Sequence, residues 1–203
     1  MKRIILFLFV AIAFSVFYLL FSASPQIKNT NPIGDNIICF GDSLTYGTGA
    51  GPGMDYPSQL SQMINKDVIN AGIPGDTTQS ALNRLDKDVL SKSPRIVLIT
   101  LGGNDLKNRA NKEEAFYRLK TIIESIQARG ALVIVGGIDI PFFGKGYGQS
   151  YKRVCNETGA VLIPNIYKGI LGKEELMSDS IHPNSTGYTI MARHFYKAIK
   201  PYL

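Results

Sequence analysis

Tryptophan is absent from the 203 residues, and cysteine and histidine occur only twice each. Cys39 and Cys155 are too few and too far apart in sequence for a disulfide framework or a cysteine-rich zinc site. With His182 and His194 the only imidazoles, there is little material for a histidine metal centre, and no metal or cofactor is expected. Lysine and arginine form no block and no stripe interleaved with aromatics, so nucleic-acid binding is not indicated. The glycine-rich stretch Gly47–Gly53 lacks the Gly-Lys-Ser/Thr ending of a phosphate loop and offers no Gly-x-Gly-x-x-Gly frame. A Gly-x-Ser-x-Gly elbow is also missing. With 45% hydrophobic and 19% charged residues, disordered and collagen-like classes are excluded.

The first 24 residues carry Lys2 and Arg3 and no acid, so the remainder has 20 basic and 16 acidic side chains, a net charge of +4. After Arg3 an apolar run extends from Ile4 to Phe21, broken only by Ser15 and Tyr18. As a helix this run would span roughly 27 Å at 1.5 Å per residue, about the hydrocarbon thickness of a bilayer. A secretory core is usually shorter, about 7–15 residues. Cleavage after Ser24 would place Pro25 beside the cut, and cleavage after Ala23 would place bulky Phe21 where a small residue is wanted. No cysteine follows the run, which excludes a lipoprotein signal. Residues 1–24 therefore read as a membrane anchor, with a cleaved signal peptide as the alternative. Either reading exports the rest of the chain, anchored on the extracytoplasmic side or periplasmic or secreted. Residues 25–35 read as a linker and 36–203 as one domain, large enough for a full core.

Within that domain, short β-branched apolar runs alternate with helical patterns. Strands are expected at Ile37–Phe40, Val68–Asn70, Ile96–Leu101, Ala131–Val135 and Val161–Ile163. Helices are expected at Tyr56–Ile64, Thr77–Leu90, Lys112–Arg129, Ser150–Glu157 and Thr186–Lys200. Continuous apolar strands alternating with helices predict a parallel sheet covered on both faces. The fold class is α/β, a flavodoxin-like three-layer α/β/α sandwich with a five-stranded sheet. Function in such sheets sits in the loops beyond the strand C-termini.

Four such loops carry chemistry: Gly41-Asp42-Ser43-Leu44 after the first strand, Asn70 to Thr78 after the second, Gly102-Gly103-Asn104-Asp105 after the third, and Asp179 to Asn184 before the last helix. Each alone has a plain structural reading: Ser43 as a helix N-cap, Gly72 and Gly75 as turn glycines, Asn104-Asp105 as a self-bonding loop, Asp179 and His182 as a surface pair. Together they supply a hydroxyl, glycine amides, a side-chain amide and an Asp–His pair, the inventory of a serine esterase. His194, between Arg193 and Lys197, reads as surface or packing. Cys39 and Cys155 read as core, a disulfide between them being unsupported.

Those four motifs, Gly-Asp-Ser-Leu, Gly-Asp-Thr-Thr, Gly-Gly-Asn-Asp and Asp-Ser-Ile-His-Pro-Asn, resemble the SGNH (GDSL) hydrolase family over about residues 36–200. Asn70 to Thr78 and Leu101 to Lys107 look most like its thioesterase I/lysophospholipase/arylesterase branch. The resemblance implies the flavodoxin-like fold and an ester hydrolase.

The residues support that chemistry directly. Ser43 Oγ needs a base, and His182 is the reasonable one. Asp179, three residues earlier, can reach the imidazole and fix its orientation. The oxyanion donors would be the Ser43 N–H, the Gly75 N–H and the Asn104 amide. Gly72 is an alternative donor, but the resemblance places the family glycine directly before Asp-Thr, which favours Gly75. Asp42 and Asp105 read as acceptors that hold their loops. Gly47–Gly53 reads as a flexible loop at the site mouth.

Ile138, Ile140, Pro141, Phe142 and Phe143 are many apolar residues for a loop. They read either as the lining of an acyl groove or as a cover for the end of the core. The expected partners are a small-molecule or lipid ester as substrate and the membrane through the N-terminal segment, with no obligate protein partner evident. A carbohydrate O-acetyl esterase and a catalytically idle anchored binding protein are the alternatives.

Overall fold

The computed structural model describes residues 26–140 and 144–203. The anchor or signal reading of residues 1–24 falls outside the described residues, as do Pro141, Phe142 and Phe143. Among the described residues no helix is long and apolar enough to cross a membrane.

Five strands form: β1 (Asn36–Gly41), β2 (Val68–Gly72), β3 (Pro94–Thr100), β4 (Leu132–Gly136) and β5 (Val161–Ile163). Their order is β2-β1-β3-β4-β5 and every pairing is parallel. The flavodoxin-like expectation is met. β1, β3 and β4 lie inside the sheet, and Ile38, Cys39, Phe40, Ile96, Val97, Leu98, Ile99 and Leu132 to Val135 have no solvent exposure. Burial on both faces is why these strands read as unbroken apolar runs rather than alternating ones.

Seven helices occur among the described residues: α1 (Ser43–Tyr46), α2 (Tyr56–Ile64), α3 (Thr78–Asp88), α4 (Gly103–Lys107), α5 (Lys112–Gln127), α6 (Tyr147–Thr158) and α7 (Ser185–Ile199). The chain steps one way from β1 to β2 and the other way from β2 through β5. Right-handed crossovers then place α2 on one face and α3, α5 and α6 on the other. α2 packs with α7, where the Tyr56 and Phe195 rings stack 4.7 Å apart. α5 packs with α3 and α6, and Phe116 meets the edge of Tyr151.

The helix ends follow local chemistry. Thr77 caps α3 in a reciprocal box with Ser80, and the Asn184 side chain accepts from Thr186 N and Gly187 N at the start of α7. α6 starts at Tyr147, one turn before the expected Ser150, because Gly146 takes a left-handed φ of 82° and Tyr147 turns into the core. The single turns α1 and α4 show no periodicity in sequence, being too short to express one.

Cys39 and Cys155 are free and buried. Burial raises both thiols, Cys155 to about 12, so neither is a ready thiolate.

Residues 26–35 of the linker run along the N-terminal ends of the strands. Lys28 N donates to Gly159 O before β5, Ile33 N to Gly130 O before β4, and Asp35 N to Ser93 O before β3. Asn29 Nδ2 donates to Gln127 O and Ala131 O, and Arg95 Nη1 to Pro32 O.

Candidate active site

The order in which strands are added reverses between β1 and β3, which opens a crevice at the C-terminal ends of those strands. Ser43 follows β1 as the first residue of α1, and Asp42 caps that turn by accepting from Leu44 N at 3.0 Å. The Ser43 N–H, at the helix start, donates to nothing among the described residues.

His182 arrives from the loop before α7. Its Nε2 lies 3.0 Å from Ser43 Oγ and its Nδ1 lies 2.7 Å from Asp179 Oδ2. Asp179 Oδ1 accepts from Ile181 N at 2.8 Å and from His182 N at 2.7 Å. One carboxylate thus folds the loop and orients the ring. The His182 side-chain bond, with help from the Ile181 and His182 amides, holds the Asp179 carboxyl down to about 2. It stays ionised across the neutral range although its side chain is half exposed.

Neighbours hold this loop in turn. Ser178 N donates to His182 O, Tyr167 OH donates to Ile181 O at 2.7 Å, and Met177 pairs antiparallel with Pro183. The Gly47–Gly53 stretch packs here as well. Tyr188 OH donates to Thr48 O, Gly51 N to Ser185 Oγ, and Gly49 abuts Ser178 and Pro183. It buttresses the histidine loop through these contacts, and Gly49 admits neighbours there that a side chain would exclude.

Asn104 lies in α4 beyond β3. Its Nδ2 donates to Asp76 O at 2.9 Å and approaches Asp42 Oδ2 at 3.3 Å. Both partners are acceptors, so the amide orientation is forced. Asp105 accepts from Thr78 N and Thr78 Oγ1 at 2.9 and 2.7 Å, joining the β3 loop to the start of α3. Asp42 and Asp105 are the loop acceptors their sequence positions suggested.

The two candidate glycines separate cleanly. Gly72 N donates to Asn70 Oδ1, and a Cβ on Gly72 would fall 2.1 Å from Tyr46 N. Gly72 is therefore where β2 lies against α1. Gly75 is exposed with φ of 86°, a Cβ there would meet nothing within 4 Å, and its N–H donates to nothing among the described residues.

A cavity of about 330 Å³ adjoins Ser43 and His182. Leu44, Leu106, Ile138, Ile140, Tyr167 and Ile181 give it an apolar wall, and Lys107 stands at its edge. Of the five apolar residues proposed to line an acyl groove, Ile138 and Ile140 do so, and Pro141, Phe142 and Phe143 lie outside the described residues. Leu106, Tyr167 and Ile181 went unforeseen because they reach the cavity from three segments distant in sequence, and the two that lie within motif stretches carry no reacting group. His194 sits away from the site, its Nδ1 3.2 Å from Ile166 O, and burial lowers its pKa. Among the described residues no group of three His, Cys, Asp or Glu side chains is placed to hold a metal ion.

Burial pushes the Asp42 carboxyl up to about 7, against the opposing Leu44 hydrogen bond and with the Asp76 charge adding to the rise. An acid raised on folding is protonated in the folded chain while the unfolded chain is ionised, so its contribution to stability declines with pH. Relative to the parent, the Tm of Asp42→Asn should therefore climb as pH rises from about 4 to about 7 and level off above that. Thermal melts of both proteins across that range check this, and a flat or falling difference would contradict it.

Residues 39–190 match the GDSL-like Lipase/Acylhydrolase family. Thioesterase 1/protease 1/lysophospholipase L1 of Escherichia coli (strain K12) is 29% identical over 175 residues, covering 82% of this chain and 84% of that protein. Arylesterase of Vibrio mimicus is 29% identical over 160 residues, covering 73% and 80%. The crystal structure of TesA superposes with a TM-score of 0.78 at 26% identity, covering 83% of this chain and 100% of that one. That of the esterase EstA from Pseudoalteromonas sp., inhibited by monoethylphosphonate, gives 0.73 at 29%, covering 82% and 97%. With a flavodoxin-like sheet, four loops converging at its switch point and a family match across most of its length, the chain belongs to the GDSL-like lipase/acylhydrolase family and is an esterase-type hydrolase.

Proposed function

We propose that this protein hydrolyses lipid-type carboxylic or thio esters through an acyl-enzyme on Ser43. The observation that carries the reading is the continuous Ser43–His182–Asp179 relay at 3.0 and 2.7 Å beside an apolar cavity. His182 Nε2 takes the proton from Ser43 Oγ as it attacks the carbonyl carbon, and Asp179 steadies the imidazolium that forms. The tetrahedral oxygen takes hydrogen bonds from the Ser43 N–H, the Gly75 N–H and Asn104 Nδ2. Asp76 O fixes the Asn104 amide with one N–H, and the other, loosely held by Asp42 at 3.3 Å, is left for the oxyanion. His182 then protonates the departing alkoxide or thiolate. Water, deprotonated by His182, attacks the acyl-enzyme and releases the acid.

The apolar wall of the cavity supports medium or long acyl groups over acetyl, and the name of the lysophospholipase relative agrees with such esters. The apolar run from Ile4 to Phe21 supports export, with residues 1–24 as anchor or signal. Residues 26–35 lie along the N-terminal strand ends and the cavity opens at the C-terminal ends. A bilayer held through residues 1–24 would then lie at the edge remote from the site. Lysophospholipid monomers or micelles on the far side fit this arrangement better than lipids of the anchoring leaflet.

The test is hydrolysis of p-nitrophenyl esters from acetyl to palmitoyl by residues 25–203. A kcat/KM that rises with chain length by about tenfold per two or so buried methylenes would bear the groove out. Activity confined to acetyl would favour carbohydrate O-acetyl ester hydrolysis. That second reading draws on the acetylxylan esterase of Geobacillus stearothermophilus, 26% identical over 82% of this chain and 91% of that protein. It also draws on the open depression of about 480 Å³ beside Asp179.

A further inference from the structure

The proposed oxyanion donors come from three loops, and something must hold them in mutual register. Gly75 is the hard case. Ile73, Pro74 and Gly75 are all exposed, and no side chain packs over Gly75. Its neighbour Asp76 is the residue that goes inside, with 6% exposure. Asp76 N donates back to Ile73 O, and its carboxylate meets Arg84 Nε at 2.6 Å.

Arg84, on α3, is itself only 13% exposed and spends four of its five N–H groups. Besides Asp76, Nη2 donates to Gly41 O and Ala71 O at 3.0 Å each, and Nη1 donates to Asp88 Oδ2 at 2.9 Å. The guanidinium also lies 4.4 Å from the centre of the Phe40 ring. Gly41 is the last residue of β1, two before Ser43, and Ala71 lies in β2. Asp76 O in turn accepts from Asn104. Each proposed donor is therefore within two residues, or one hydrogen bond, of a group this guanidinium holds or of the residue it anchors. An arginine fork, planar and always charged, fixes several acceptors at once in a way an ammonium cannot.

We infer that Arg84, acting through Asp76, is the positioning residue of the oxyanion site. It touches no substrate. It sets the Gly75 N–H and the Asn104 amide relative to Ser43, so its loss is felt in the transition state, when negative charge develops on oxygen, and little in substrate binding. The inference rests on the esterase reading proposed above and adds to it a residue outside all four motifs.

The experiment compares Arg84→Lys, Asp76→Asn and Asp88→Asn with the parent on one p-nitrophenyl ester, with active sites titrated so that rates refer to folded enzyme. Asp88→Asn is the control, because it alters the same guanidinium's environment without touching the Gly75 loop. Arg84→Lys should lower kcat by about 10- to 100-fold with KM within about threefold, a fraction of what removing a donor outright costs. Its Ki for an alkylboronic acid, whose tetrahedral adduct carries an oxygen in the oxyanion position, should rise in parallel with the fall in kcat/KM. Asp76→Asn should follow in the same direction, and it decides the matter if Arg84→Lys does not fold. Asp88→Asn should keep kcat within about twofold. A kcat per active site and a boronate Ki for Arg84→Lys and Asp76→Asn no different from Asp88→Asn would show a purely structural arginine and overturn the inference while leaving the esterase reading intact. A parent inactive on every ester would instead overturn the reading itself, and the positioning role with it.

Discussion

Replacing Ser43 by alanine should abolish ester hydrolysis, with kcat down by at least about 10³-fold, and leave the fold unchanged. The magnitude follows from the relay. Without Oγ there is no atom to form the acyl-enzyme, and His182 and the oxyanion donors can only assist a water attack, which retains a residual rate far below the parent's. The fold should survive because, among the described residues, Ser43 Oγ hydrogen-bonds only with His182, and the capping bond of α1 comes from Asp42. Steady-state hydrolysis of a p-nitrophenyl ester beside a thermal melt measures both. Activity within tenfold of the parent would break the proposed mechanism, and a loss of activity accompanied by unfolding would show that Ser43 serves the fold.

The second large effect is expected at Asp179. Asp179→Asn should lower kcat by about 10²–10⁴-fold near neutral pH with KM little changed. The carboxylate makes three bonds, to Ile181 N, His182 N and His182 Nδ1. Asparagine can keep the two backbone bonds through its oxygen but would offer an NH₂ group to the imidazole. The ring would then place its proton on Nε2, facing Ser43, and could not act as base. The lower end of the range reflects exposure, since the Asp179 side chain is 51% accessible and solvent can partly replace its charge. A pH–rate profile separates this from loop collapse. A tautomer defect lowers kcat at every neutral pH with the loop intact by near-neutral melting, whereas a disordered loop raises KM and destabilises the protein. Rates within threefold of the parent would remove Asp179 from the relay.

The division of labour between Asp42 and Asp179 bears on both expectations. Each is an aspartate beside the reacting groups, yet burial pushes Asp42 up to about 7 whereas hydrogen bonding draws Asp179 down to about 2. Environment, not residue type, makes one a carboxylate for the imidazole and the other a buried cap for the turn that begins at Ser43.

Much of this architecture was legible in the residues. Ile96 to Leu101 and Ala131 to Val135 read as buried strands because a strand covered on both faces must be apolar at every position. Ser43, Asn104, Asp179 and His182 could be picked out because each sits in a short motif at a strand end or before a helix. The spacing of Asp179 and His182 already confines them to one turn. Choosing Gly75 over Gly72 needed resemblance, and the two differ in their surroundings: among the described residues the Gly75 N–H has no acceptor, whereas Gly72 N donates to Asn70 Oδ1 and Gly72 lies against the Tyr46 backbone.

What only the tertiary structure decided are the relations between segments distant in sequence. Leu106, Ile138, Tyr167 and Ile181 form one apolar wall because the loops after β3, β4 and β5 and the loop carrying His182 meet at one edge. Arg84 looks in sequence like an ordinary polar position on an amphipathic helix. Only the fold shows it turned inward among Gly41 O, Ala71 O and Asp76. Periodicity and motif record what a residue owes to its neighbours along the chain. The partners of a buried guanidinium, and the side chains that line a cavity, are set by which strand ends the sheet topology brings together, and that order is written in no local segment.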